Sequence, residues 1–130
     1  MKIPKIVGVL NLSPESLNNN TDPQEQARRM IAEGVDIIDV GAQSTRPNVE
    51  QISLEEETFR MKGVIASLKK VFPTILVSVD TTRDEIVRLA LDEGVDMVND
   101  ISGGRFNKNL LADVAKSKAF YVLMHSQGSF

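Results

Sequence analysis

Glu33-Gly34-Val35-Asp36-Ile37-Ile38-Asp39 returns sixty residues later as Glu93-Gly94-Val95-Asp96-Met97-Val98-Asn99. Each copy reads as a helix end, a glycine stop and then a run rich in Val and Ile without strict polar alternation. Such runs suit strands buried on both faces, as in parallel sheets. A barrel of eight βα units and about 250 residues spends roughly 31 on each unit, so an offset of sixty is two units. A glycine stop before a strand also occurs throughout α/β chains, and the repeat points to that class as a whole.

Outward from the repeat, residues 6–10, 75–79 and 120–124 are apolar runs of the same kind as 35–40 and 95–98. Helical spacing fills the gaps between the five. Asp22-Pro23 places an N-cap before a proline at the first helical position, and Ala27, Met30 and Ile31 form the stripe behind it. Ser53-Leu54-Glu55-Glu56 has capping-box spacing, and the apolar series Met61, Val64, Ile65, Leu68 and Phe72 predicts one continuous helix after it. Thr82-Arg83-Asp84-Glu85 repeats the box ahead of Ile86, Leu89 and Ala90, and a fourth helix is expected over 108–116. Alternating β and α elements imply a parallel sheet with right-handed crossovers.

Composition sets the outer limits. The chain has 130 residues, 42% hydrophobic and 25% charged, which fits one globular domain and excludes wholesale disorder. Fifteen basic residues against 18 acidic give a net charge of −3, which argues against a nucleic-acid binder. No apolar run approaches the roughly 20 residues that cross a bilayer, and the start has no secretory character. There is no cysteine and one histidine, which excludes thiolate chemistry and argues against a histidine-based metal site. The expectation is a cytoplasmic protein with no membrane or nucleic-acid partner.

The polar residues fall where each apolar run stops. Asn11, Ser44-Thr45-Arg46, Asp80, Asn99-Asp100 and His125 each follow one of the five runs. Ligands bind at the C-terminal ends of strands in parallel α/β folds, so the coincidence matters more than any one residue. An Asp beside an Asn offers acceptors and donors to a flat heterocycle with amino and lactam edges. An Asn carbonyl and a Thr hydroxyl are hard oxygen ligands of the kind Mg²⁺ accepts, and Arg46 is a planar fork for an anion. Each also has a plainer reading: turn formers for Asn and Asp, an exposed loop for 44–47, a core-edge side chain for His125. Gly103-Gly104 lacks the spacing and lysine of a phosphate loop.

Five stretches taken together carry a resemblance: Gly8-Val9-Leu10-Asn11-Leu12-Ser13-Pro14-Glu15-Ser16, Asp39-Val40-Gly41-Ala42-Gln43-Ser44-Thr45-Arg46-Pro47, Val77-Ser78-Val79-Asp80-Thr81, Val98-Asn99-Asp100-Ile101 and Leu123-Met124-His125. In this order they resemble the N-terminal half of dihydropteroate synthase, the pterin-binding transferase of folate biosynthesis. The resemblance implies about five βα units, residues 1–130, of a (β/α)8 barrel. It implies condensation of 6-hydroxymethyl-7,8-dihydropterin diphosphate with 4-aminobenzoate, with sulfonamides as competitors and a homodimer when full length.

Carried over by position, Asn11 would bind the Mg²⁺-diphosphate and Thr45 would contact the substrate near its diphosphate. Arg46 would act on the second loop over the aminobenzoate, and Asp80 and Asn99 would hold the pterin. The family's later half supplies a further Asp, a lysine and an Arg-x-His phosphate site, so this segment alone is expected to be inactive. The first loop departs from the family at Glu15, Leu17 and Asn18 to Asn20, and the second at Gln43 and Asn48. Two alternatives stand beside this reading: a folate-dependent methyltransferase domain and a diverged pterin binder without catalysis.

Overall fold

Strands β1 (Val7–Asn11), β2 (Ile37–Gly41), β3 (Leu76–Asp80), β4 (Met97–Asp100) and β5 (Phe120–Leu123) form one sheet in the order β1-β2-β3-β4-β5. Every neighbouring pair is parallel. The computed structural model describes residues 3–14, 22–43, 50–105 and 108–125. Strictly sequential order is how a (β/α)8 barrel lays down its strands; a doubly wound sheet reverses direction part-way. The helices are α1 (Pro23–Ala32), α2 (Leu54–Met61), α3 (Val64–Val71), α4 (Asp84–Asp92) and α5 (Lys108–Lys116).

The two faces of the sheet differ. Leu10, Ile38, Val40, Val77, Val79 and Val98 are fully buried in one core with Ala27, Met61, Ile65, Leu68, Ile86, Val87 and Leu110 from the helices. Helices therefore cover that outer face, as right-handed crossovers between adjacent parallel strands require. Side chains alternate along a strand, so Val7, Val9, Leu76, Phe120 and Val122 face the other way. They are exposed, Val9 to 65% and Phe120 to 71%.

The sixty-residue repeat is structural. The N–H groups of Glu33, Gly34 and Val35 return to the carbonyls of Arg29, Ile31 and Met30, and those of Glu93, Gly94 and Val95 to Leu89, Leu91 and Ala90. One residue on, each copy carries an aspartate that grips the preceding strand at its start. Asp36 accepts from Ile6 N–H at 2.8 Å and Lys5 Nζ at 3.0 Å. Asp96 accepts from Val77 N–H at 2.8 Å and Lys69 Nζ at 2.7 Å.

Three expectations need correction. The single helix after Ser53 is two. Ser53 does cap α2, its Oγ accepting from Glu56 N–H at 3.1 Å. The chain then turns at Lys62 and at Gly63, whose φ of +80° no helix interior allows. Glu93 holds the new start, accepting from the N–H groups of Gly63 at 2.6 Å and Ala66 at 3.2 Å. The box at Thr82, by contrast, does not form. Helix α4 begins one residue later, behind Arg83, because the neighbouring Thr81 organises the turn: its Oγ1 accepts from Arg83 N–H at 3.2 Å. Finally, β1, β2, β3 and β4 run one or two residues beyond their apolar runs. Backbone pairing continues through Asn11, Gly41, Asp80 and Asp100 regardless of side-chain polarity.

Candidate functional site

One row of the register crosses four strands: Asn11 pairs with Gly41, Gly41 with Asp80, and Asp80 with Asn99. Paired residues share a face, so this row lies on the open inner face at the C-terminal ends. Three of the five residues expected at the site, Asn11, Asp80 and Asn99, are thus brought together. Thr45 and Arg46 lie outside the described residues. Gly41 leaves room between Asn11 and Asp80, since a Cβ there would stand 3.7 Å from Asp80 Oδ2.

Burial and a ring of carboxylates shape Asp80. Desolvation, then the charges of Asp39, Glu57 and Asp100, push its carboxyl up from 3.8 to about 7. Asn99 donates through Nδ2 to Asp39 Oδ2 at 3.1 Å. Asp39 is only 6% exposed, and its Oδ1 has no hydrogen-bond partner among the described residues. Asn11 Oδ1 accepts from Ser13 N–H at 3.0 Å, which orients the carboxamide just past β1. Among the described residues no group of three carboxylates or histidines is placed to chelate a metal. Asn11 can give one neutral oxygen, so Mg²⁺ fits here only if most of its ligands come from phosphate oxygens and water, the usual arrangement for this ion.

Behind the rim, a polar network fixes the loop bases. Glu57, buried, accepts from Thr81 Oγ1 at 2.7 Å and pairs with Arg83 Nη1 at 3.0 Å. Arg83 also donates to Ile52 O at 2.7 Å, Gln43 Oε1 accepts from Ile52 N–H at 2.9 Å, and Arg60 donates to Ala42 O at 2.8 Å. The residues on either side of the second loop are therefore tied together. Gln43 serves here because an amide oxygen accepts an N–H as a carboxylate would.

The Gly103-Gly104 pair wraps Asp100 instead of holding a ligand. Asp100 is fully buried on the helix side and accepts from Ser102 N–H, Gly104 N–H and Tyr121 Oη, each at 2.8 Å. His125 is a correction: it is exposed, not at the core edge. It lines a cavity of about 270 Å³ with Ser102, Gly103, Arg105, Leu123 and Met124.

A family model described as pterin binding enzyme matches residues 7–129. The chain belongs to that family. A dihydropteroate synthase from Synechocystis is 44% identical over 95% of this chain, which spans 45% of that protein. The solved dihydropteroate synthase from Clostridium difficile, determined in the presence of pteroic acid, superposes with a TM-score of 0.87 at 36% identity, covering 96% of this chain and 49% of that one. The Xanthomonas albilineans enzyme with 4-aminobenzoic acid gives 0.85 at 33% identity, covering 96% and 47%. The chain thus spans about half the length of the relatives it matches.

Asp39, Glu57 and Arg83 were not singled out as site residues in the sequence. Only Asp39 carried a signal. The repeat aligns it with Asn99, the residue it bonds.

Proposed function

We propose that the protein carrying this chain joins a dihydropterin diphosphate to 4-aminobenzoate, releasing diphosphate and dihydropteroate. The carrying observation is the adjacency of Asp80 and Asn99 on the inner face, in a family whose similar member was crystallised with pteroic acid, a pterin joined to 4-aminobenzoate. The two side chains present acceptors to the amino-pyrimidine edge of the ring. In the reaction the bond from the pterin methylene to the diphosphate oxygen breaks. A bond from that carbon to the arylamine nitrogen forms, and the amine loses a proton.

The chain's own residues bind and orient. Asp80 and Asn99 hold the ring. Thr45 would contact the substrate near the diphosphate, and Arg46 would act over the aminobenzoate. Asn11 would hold Mg²⁺ together with substrate oxygens, and the ion, when bound, supplies neutralisation of the departing diphosphate. Positioning and charge stabilisation carry the rate without a covalent enzyme intermediate. Sulfonamides, as arylamine mimics, would compete. The same reading takes the full protein as a cytoplasmic homodimer; no helix among the described residues is long and apolar enough to cross a membrane.

The test is diphosphate release by the full gene product given the pterin diphosphate and 4-aminobenzoate, with calorimetry of pterin binding alongside. Arylamine-dependent release is expected, and Asp80→Ala should weaken pterin binding by about 2–3 kcal/mol through a lost charge-assisted pair. Absence of release, or unchanged affinity in the variant, would overturn the assignment.

A further inference from the structure

The two halves of the sequence repeat meet in the fold at a single hydrogen bond. Asp39 of β2 and Asn99 of β4 lie on either side of β3, two strand spacings or roughly 10 Å apart in a flat sheet. They touch because parallel barrel strands are staggered by one residue each, so positions two units apart share a layer. The register has that stagger: Asp39 pairs with Ser78 and Ser78 with Met97, two residues short of Asn99. Between them the inner face of β3 carries the small Ser78, level with Asp39, and Asp80, level with Asn99.

The bond has a direction. A carboxylate accepts and does not donate, so only the Nδ2 side of Asn99 can face it. Asp39 is buried, and its other oxygen, Oδ1, has no partner among the described residues. Turning the Asn99 carboxamide over would set oxygen against oxygen and strip a buried carboxylate of its donor, which is costly. The carboxamide oxygen is therefore held on the side away from Asp39.

We infer that Asp39 is a positioning residue: it locks the Asn99 carboxamide with its oxygen toward the ligand, so that the site reads the hydrogen-bond polarity of the ring edge. This rests on the pterin reading above. A pterin offers an exocyclic amino donor on that edge. A lumazine offers a carbonyl at the same atom, with the neighbouring ring nitrogen protonated, and so has the reverse pattern. The lock should accept the first and reject the second. With Asp39→Asn, residue 39 can donate as well as accept, and the Asn99 amide is free to turn.

The experiment is calorimetric titration of the full gene product with 6-hydroxymethylpterin and with 6-hydroxymethyllumazine. The wild type should prefer the pterin strongly, and Asp39→Asn should reduce that preference at least tenfold, chiefly by improving lumazine binding. In an Asn99→Ala background the same substitution should leave the preference unchanged. A preference unaltered by Asp39→Asn, with both affinities or the melting temperature lowered together, would make Asp39 merely structural and overturn the inference. Binding of neither compound to the wild type would overturn the proposed function and this inference with it. Should Asp39→Asn not fold, selective ¹⁵N-asparagine labelling of the wild type reads the bond directly. The Asn99 side-chain amide, assigned by its loss in Asn99→Ala, should show one proton shifted downfield and protected from exchange. An unshifted, freely exchanging amide would overturn the lock.

Discussion

Asp80 is held among carboxylates that cannot all be charged without cost, and its stability signature follows from that. The folded chain keeps the Asp80 proton up to about pH 7, whereas an unfolded aspartate releases it near 3.8. Between those values the folded form binds more protons than the unfolded one, so stability falls as pH rises through this window and levels off above it. Asp80→Asn removes the dependence. The variant should melt higher than the wild type near pH 8, by about 1–2 kcal/mol after discounting for partial solvent access, and match it near pH 4. Thermal melts at the two pH values decide it, and a wild type that gains stability with rising pH would contradict the placement of Asp80. Asn11, Asp80 and Asn99 were legible in the sequence because each interrupts an apolar run with a polar side chain. Asp39 was harder to read, because it sits inside such a run and only the repeat, which aligns it with Asn99, marked it. Glu57 and Arg83 were hidden for the opposite reason: a helix rich in charge gives no sign of which glutamate turns inward.

At the scale of elements, the break between α2 and α3 is the place where periodicity misled. Met61, Val64, Ile65 and Leu68 keep helical spacing across Lys62 and Gly63, so the apolar stripe continues although the backbone does not. The acceptor that makes the break tolerable, Glu93, lies thirty residues away on another βα unit, out of reach of any local reading. Gly63→Ala isolates the backbone contribution, since a Cβ there meets nothing within 4 Å. It should cost roughly 1–2 kcal/mol, the ordinary penalty of a left-handed residue with a side chain. Urea denaturation measures it, and a neutral or stabilising effect would mean that the turn is not left-handed. The strands were legible to within two residues, because both faces carry apolar side chains, the outer ones packed on helices and the inner ones, such as Val7 and Val9, exposed. Their polar last residues were read as following the runs, since side-chain chemistry carries no record of backbone pairing.

Across the whole molecule the sheet is finished on one face and open on the other. Val7, Val9 and Phe120 on the open face are all more than half exposed, and β1 and β5 each have one unpaired edge among the described strands. Exposed apolar edge strands without charges or prolines associate with one another. Residues 1–130 expressed alone should therefore self-associate and show no diphosphate release. Sedimentation of that polypeptide, with the enzyme assay beside it, tests both, and a monodisperse active monomer would refute the expectation. The α/β class was legible at this scale from five apolar runs alternating with helical spacing and a repeat at sixty residues, and the barrel came from the resemblance. The aspartate grips at Asp36 and Asp96 carry a last consequence. They fasten β1 to β2 and β3 to β4 at the rim opposite to Asp80 and Asn99, so the chain's clasps and its recognition surface occupy opposite poles. The recognition pole can be rewritten, residue by residue, toward a different ring without unfastening a clasp, and a scaffold divided in that way can change its ligand while keeping its architecture.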